Sequence, residues 1–188
     1  MKILLAAYLA LLGTAPSAAA TAKEALASRQ FLIGTWNCTY TVAPTDGSAP
    51  TEEGPYTTTW SNTLDGAWLK QTYDQPAAPK SEPFKAEYFI GYDERKQKWI
   101  RFGVMTTGQY FAIRMTDDGD GGWKYRYVSL FPFPPSASSA NPPDVVDATF
   151  SRKSDSEYTI EGPTYREGSN GPTVAEHHDC KKASAVSS

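Results

Sequence analysis

The chain's only two cysteines, Cys38 and Cys180, stand near opposite ends of its 188 residues. Between them run β-like segments with almost no helical periodicity. If the two pair, the first and last strands are neighbours, and that adjacency is what closing a sheet on itself into a barrel requires. A barrel of this length encloses a cavity, so the feature points to binding without naming a ligand.

The first 20 residues favour that pairing. Met1-Lys2 supplies a short positive start, Ile3 to Leu12 is an apolar run, and Ala18-Ala19-Ala20 offers a small-residue cleavage site. This is the pattern of a secretory signal peptide. The expectation is a secreted or periplasmic protein cleaved near Ala20, with one domain over residues 21–188. An oxidising compartment makes a Cys38–Cys180 disulfide the expected state. No later segment approaches about 20 consecutive apolar residues, so no membrane span is expected. Net charge is −3 with the signs scattered. Without a basic stripe, nucleic acid is a poor candidate partner.

After a short Ala-rich helix within Thr21 to Gln30, the chain reads as β throughout. Phe31 to Tyr40 is the first segment, and Tyr56 to Leu64 is rich in β-branched and aromatic residues. Asp65-Gly66 is a two-residue hairpin signal leading into Trp68 to Tyr73. Phe84 to Ile90 alternates apolar and charged residues, as a half-buried strand does. Segments at Trp99–Val104, Gln109–Met115, Trp123–Tyr127, Val145–Arg152, Glu157–Glu161 and Val174–Cys180 complete the series. About ten strands joined mostly by short turns, with no crossover helix, predict an all-β, antiparallel, up-and-down closed barrel. One stretch breaks the rhythm: residues 130–144 carry Pro132, Pro134, Pro135, Pro142 and Pro143. Prolines at that density cannot sit in a ladder, so a long loop is expected, either a surface excursion or a flap over the mouth with Phe131 and Phe133 as its contacts. A second Pro-rich connection runs from Gln75 to Pro83.

Phe31-Leu32-Ile33-Gly34-Thr35-Trp36 resembles the Gly-x-Trp opening of calycin-like barrels, the lipocalin and fatty-acid-binding superfamily. Phe89-Ile90-Gly91-Tyr92-Asp93, followed by Lys98-Trp99-Ile100, is similar to the central hairpin of lipocalin-like bacterial proteins. Nitrobindin-type haem barrels are a more distant likeness. The resemblance implies that Trp36 packs across the bottom of the barrel and that Gly34 lets the chain approach closely. It supports a fold, and such folds host many ligands and a few enzymes.

With Trp36 inside, period-two alternation places Cys38 and Tyr40 inside as well. A cross-strand disulfide then turns Cys180 inward, with His178 and Glu176, and leaves His177 and Asp179 outward. Tyr56, Trp60 and Leu64 share a face, as do Phe84, Tyr88 and Ile90, and Trp123, Tyr125 and Tyr127. The 13% aromatic content is thus concentrated on the expected inner surface. The reading is an exported lipocalin-like barrel that buries a small hydrophobic or aromatic ligand against Trp36, Tyr40, Trp60, Tyr88, Tyr125 and His178.

Three alternatives stay open. His178 suits haem iron as a proximal ligand, as the nitrobindin likeness implies. Glu176 and His178, two residues apart on one face, suit a general base and acid for an isomerase, cyclase or hydratase acting on a lipidic substrate. The barrel is otherwise a filled structural module. Gly-x-Ser-x-Gly, P-loop and His-Glu-x-x-His signatures are absent. His177 and His178 point to opposite faces, so no metal site is expected there. Asp117 to Gly121 resembles part of a calcium loop without its twelfth-position Glu, and reads as a turn.

Overall fold

A computed structural model describes residues 20–108, 110–117, 121–126, 148–164 and 174–184, apart from the side chains of residues 111, 125, 126 and 164. The signal-like segment before residue 20 and the 130–144 loop lie outside the described residues. A short helix, α1 (Ala22–Ala27), and a 3-10 turn (Gln30–Leu32) precede ten strands. These are β1 (Gly34–Pro44), β2 (Glu52–Thr63), β3 (Trp68–Gln75), β4 (Phe84–Asp93) and β5 (Lys98–Met105), followed by β6 (Tyr110–Asp117), β7 (Trp123–Arg126), β8 (Ala148–Ser154), β9 (Glu157–Thr164) and β10 (Val174–Lys182). Each strand pairs antiparallel with its neighbours in sequence, and β1 pairs with β10 to close the ring. That seam runs in register from Trp36 opposite Lys182 to Pro44 opposite Val174. Cys38 and Cys180 face each other directly within it, their Cα atoms 4.1 Å apart and their sulfurs bonded. No helix among the described residues is long and apolar enough to cross a membrane.

The alternation expected of β1 holds: Trp36, Cys38, Tyr40 and Val42 are buried between more exposed neighbours. Three local expectations need correction. Phe31 and Leu32 lie in the 3-10 turn, not in the first strand. That turn presents the Leu32 carbonyl to the indole N–H of Trp36 at 2.7 Å, which seats the ring. The β2–β3 connection is a four-residue turn over Leu64–Ala67, closed by Thr63 opposite Trp68, rather than a two-residue hairpin. Leu64, Asp65 and Gly66 all have positive φ there, which leaves Leu64 exposed instead of sharing the inner face with Trp60. β2 also begins earlier than expected, at Glu52, and so contains Pro55. Pairing with β3 starts only at Thr57, so Pro55 sits where β1 is the partner, as a residue without an N–H must.

One end of the barrel is sealed. Trp36, Trp60, Trp99, Trp123, Phe150 and Tyr158 project into it, each 3% exposed or less. Their rings meet edge-on or stacked: Trp99–Trp123 at 5.3 Å, Trp123–Phe150 at 5.2 Å and Phe150–Tyr158 at 4.4 Å. Aromatic pairs of this geometry add about 0.5–1.5 kcal/mol each beyond area burial. Leu26 of α1 and Leu32 cap the cluster from below. α1 is only six residues long and depends on its capping box, in which Thr21 and Glu24 satisfy each other's backbone N–H. The Glu94 carboxylate, accepting from the Ala22 N–H at 2.6 Å, and Gln97, bonded to Ala20, tie the helix start to the β4–β5 turn.

Two cations brace this floor. Arg29 is 1% exposed, its guanidinium lying 5.1 Å from the Trp99 ring centre and 4.8 Å from that of Trp123. It donates to the Asp117 carboxylate at 2.8 Å and to the Gly122 carbonyl at 3.1 Å. Lys182 stands 5.4 Å over the Trp36 ring and donates to the Phe31 carbonyl at 2.8 Å. Gly34 makes room for it: its φ is +124°, and an added Cβ would meet the Lys182 stem at 3.1 Å. Both expectations for the Gly-x-Trp opening therefore hold, Trp36 across the bottom and Gly34 at a close approach.

Candidate binding chamber

Above the aromatic floor the inner face changes character. The next residues inward along β2, β3, β4 and β5 are Thr58, Gln71, Tyr88 and Arg101. Toward the mouth follow Tyr40, Tyr56 and Tyr73, with His178 and Glu176 from β10. Beyond them the lining turns apolar again at Val42, Phe84, Met105 and Val174, while Gln75 anchors the β3–β4 connection. Exposure follows the same axis. The floor is closed to solvent, whereas the side chains of His178 and Glu176, pointing inward, are 14% and 38% exposed. Solvent thus reaches these two side chains, while Tyr40, Tyr56, Gln71 and Tyr88 around them are 6% exposed or less.

The polar groups form ordered chains. Arg101 donates to the Gln71 side-chain carbonyl at 3.0 Å. Gln71 donates to Thr58 at 3.0 Å, and Thr58 to the Thr72 backbone carbonyl at 2.7 Å. This sequence of donors fixes which way the Gln71 amide points. The Arg101 guanidinium also lies 4.1 Å from the centre of the Tyr88 ring. Gly103, directly opposite Tyr88, allows that ring to lie down: a Cβ there would come within 2.2 Å of the ring's Cδ1. On the other wall, the Tyr56 hydroxyl is 3.0 Å from His178 Nδ1 and 3.3 Å from the Cys180 sulfur. His178 Nε2 faces the Glu176 carboxylate at 3.6 Å. Tyr56 stacks on Tyr73 at 4.2 Å.

At the mouth, the Pro-rich connection between β3 and β4 folds across toward the β1–β2 rim. Gln75 donates to the Tyr40 hydroxyl and to the Glu82 carbonyl, both at 2.9 Å, and accepts from Tyr73 at 3.0 Å. Tyr40 bonds Ser81, which donates to the Glu53 carbonyl at 3.1 Å. Lys80 pairs with Glu53 at 2.8 Å. The second Pro-rich stretch therefore lies at the open end.

Burial raises the phenols of Tyr73 and Tyr88 above their usual value. For Tyr73, the neighbouring phenols and the Glu176 carboxylate push the same way; for Tyr88, Arg101 opposes the shift and Glu176 adds to it. A pKa raised in the folded state means stability that is intact below the unfolded value and lost as pH climbs past it. The unfolding free energy should therefore fall above about pH 10, beyond any decline from net charge. Denaturant unfolding at stepped alkaline pH checks this. In Tyr73→Phe the decline should be shallower, and an unchanged slope would remove Tyr73 from the explanation.

The structure separates the residues that the sequence pointed to. Trp36 and Trp60 belong to the sealed floor, where each is 3% exposed or less. Tyr40, Tyr88 and His178 line the chamber above it. Tyr125 pairs with Met115 and Ala148 in the ladder, and its side chain lies outside the described residues. His177 projects outward between Asp179 at 2.9 Å and Glu161 at 3.4 Å, on the face opposite His178. Both ring nitrogens of His178 face protein partners, an arrangement that does not suit an axial haem ligand. Tyr56 lies on the inner face that alternation gave it with Trp60, whereas Arg101, Gln71 and Tyr73 are chamber residues that the sequence alone does not single out. Arg101 carries a signal all the same, since it stands two residues from the inward Trp99 on the same strand.

Residues 23–119, the span from α1 through β6, match the family model described as a protein of unknown function (DUF1579). The chain belongs to that family. The matched DUF1579 span contributes Arg29 to the floor and Arg101, Gln71, Tyr88, Tyr56 and Tyr73 to the chamber. His178 and Glu176 come from β10, beyond it. No curated protein matches the chain. Among solved structures, the DUF1579 barrel is similar to the S-type phycobiliprotein lyase CPES from Guillardia theta, with a TM-score of 0.57 over 82% of this chain and 90% of that one. At 7% identity the likeness is one of fold.

Proposed function

We propose that this DUF1579 protein is an exported barrel that binds a small, largely apolar molecule in its upper half. The observation that carries the reading is the gradient along the inner face: a floor closed by packed indoles, then a level of ordered polar groups where solvent touches His178 and Glu176, then an apolar mouth. Aromatic walls with a few placed donors are what small-molecule sites present. Export is supported by the leader-like residues 1–20 and by the disulfide, because such bonds persist in oxidising compartments.

The deciding experiment is native mass spectrometry with visible absorption on protein purified from its own host compartment. A colourless protein carrying an extra organic mass is the expected result and would give the ligand class directly. Protein that arrives empty and takes up no apolar probe would overturn the reading. The Tyr56–His178–Glu176 series favours one second reading, proton transfer on the bound molecule. In that case His178→Ala would retain binding and lose turnover.

A further inference from the structure

We infer that the outer wall over β3–β6 is an interface between two copies of this chain, which meet there as a weak, reversible dimer. Outward positions on β1 and β2 are Thr35, Asn37, Thr39, Thr57, Thr59 and Ser61, all exposed, as suits a solvated wall. Farther round the barrel that rule fails. Phe102 is 40% exposed and Val104 55%, with Phe89 stacked on Phe102 at 5.1 Å and Trp68 edge-on to it at 5.7 Å. Ile100, half-buried, continues the outward row along β5. Contiguous apolar surface of this kind marks an interaction site.

The charges around the patch select a second copy as its occupant. Register puts Glu87 beside Val104 and Arg114 beside Ile100, so the two charges lie diagonally across Phe102. Arg114 also stands directly opposite Arg126 in the β6–β7 ladder, where like charges destabilise the pair and an incoming carboxylate relieves it. Lys70 bonds one Glu87 oxygen at 2.9 Å, and a carboxylate accepts through two. A surface of one sign would satisfy Arg114 and oppose Glu87. A second copy satisfies both. With a two-fold axis lying in the wall over Phe102, perpendicular to the line from Glu87 to Arg114, each copy's Glu87 meets the partner's Arg114. Two ion pairs then flank one apolar centre. The patch is small: four strands about 4.8 Å apart and three outward rows about 6.8 Å apart cover roughly 400 Å² per copy. Specific, stable interfaces bury about 800 Å² per partner, so this contact is reversible.

Sedimentation equilibrium of the oxidised protein at rising concentration tests this. Wild type should dimerise with a Kd on the order of 100 µM, in keeping with an interface below the standard size. Phe102→Ser should weaken association at least about tenfold, as loss of a central aromatic contact does. Arg114→Glu and Glu87→Lys should each weaken it, and the two together should restore it, because the swapped charges pair again. Circular dichroism establishes that each variant is folded; should Phe102→Ser fail to fold, Val104→Lys takes its place. A monomer at every concentration up to about 0.5 mM would overturn the inference. A dimer indifferent to Phe102→Ser or Val104→Lys would place the contact elsewhere and also sink it. A double charge swap no better than the single variants would overturn the two-fold arrangement. Flotation with phosphatidylcholine–phosphatidylglycerol vesicles covers the other occupant: capture of wild type but not of Phe102→Ser would give the wall to lipid instead.

Discussion

Replacing both cysteines with alanine is expected to lower the melting temperature by about 8–16 °C. The bond joins residues 142 apart, so in the unfolded chain it closes a loop that includes nearly the whole barrel. Chain-entropy reasoning assigns such a loop about 5 kcal/mol; the stronger disulfides deliver about 4 kcal/mol, which gives that range at about 2–4 °C per kcal/mol for a domain of this size. The double substitution is the informative one. A single Cys180→Ala would leave a lone thiol at Cys38 and mix two effects. The β1–β10 ladder remains in the double variant, so the native barrel should persist at ambient temperature with unchanged far-UV dichroism. A melting shift under about 2 °C would show that the ladder alone holds the seam and that the bond contributes little.

Arg29→Ala should cost about 3 kcal/mol in denaturant unfolding, and the size should come from packing more than from charge. Two contributions compete. The ion pair has its carboxylate on Asp117, which is 51% exposed, and pairs with one partner in solvent are worth about 0–1 kcal/mol. The guanidinium's stacking on Trp99 and Trp123 is fully desolvated, where a cation–π contact is worth about 2 kcal/mol, and removing the side chain opens a void under the floor. Arg29→Met should therefore recover part of the loss by filling that void. Asp117→Asn should cost less than about 1 kcal/mol. If Asp117→Asn proved as harmful as Arg29→Ala, the ion pair would be the larger of the two contributions and the packing account would fail.

Much of the architecture is legible in the sequence because a barrel writes itself into period-two patterns. The inward set at Trp36, Cys38 and Tyr40, and the matching set at Glu176, His178 and Cys180, follow from alternation anchored by one Trp and one disulfide. What alternation cannot convey is the level along the axis. Trp36 and Tyr40 share a face, yet one is sealed in the floor and the other bonds Ser81 at the mouth. Arg101 escapes a sequence reading for a related reason: a charged residue in a strand reads as solvent-facing until register places it inside. The turn at Leu64–Ala67 is hidden behind Asp-Gly, a strong two-residue signal. Consecutive positive φ values at Leu64, Asp65 and Gly66 spread the reversal over more residues.

The seam between β1 and β10 has a consequence for how the chain reaches its native state. Among the described residues, nine of the ten strand pairings join neighbours in sequence, and this one must wait for the two ends of the barrel to meet. Until it forms, the molecule is an open sheet with two bare edges, and each edge is the complement of the other. The same complementarity exists between the β1 edge of one copy and the β10 edge of the next. Refolding of the reduced chain is therefore a contest between ring closure, which is independent of concentration, and edge-to-edge growth, which is not; dilution favours the ring.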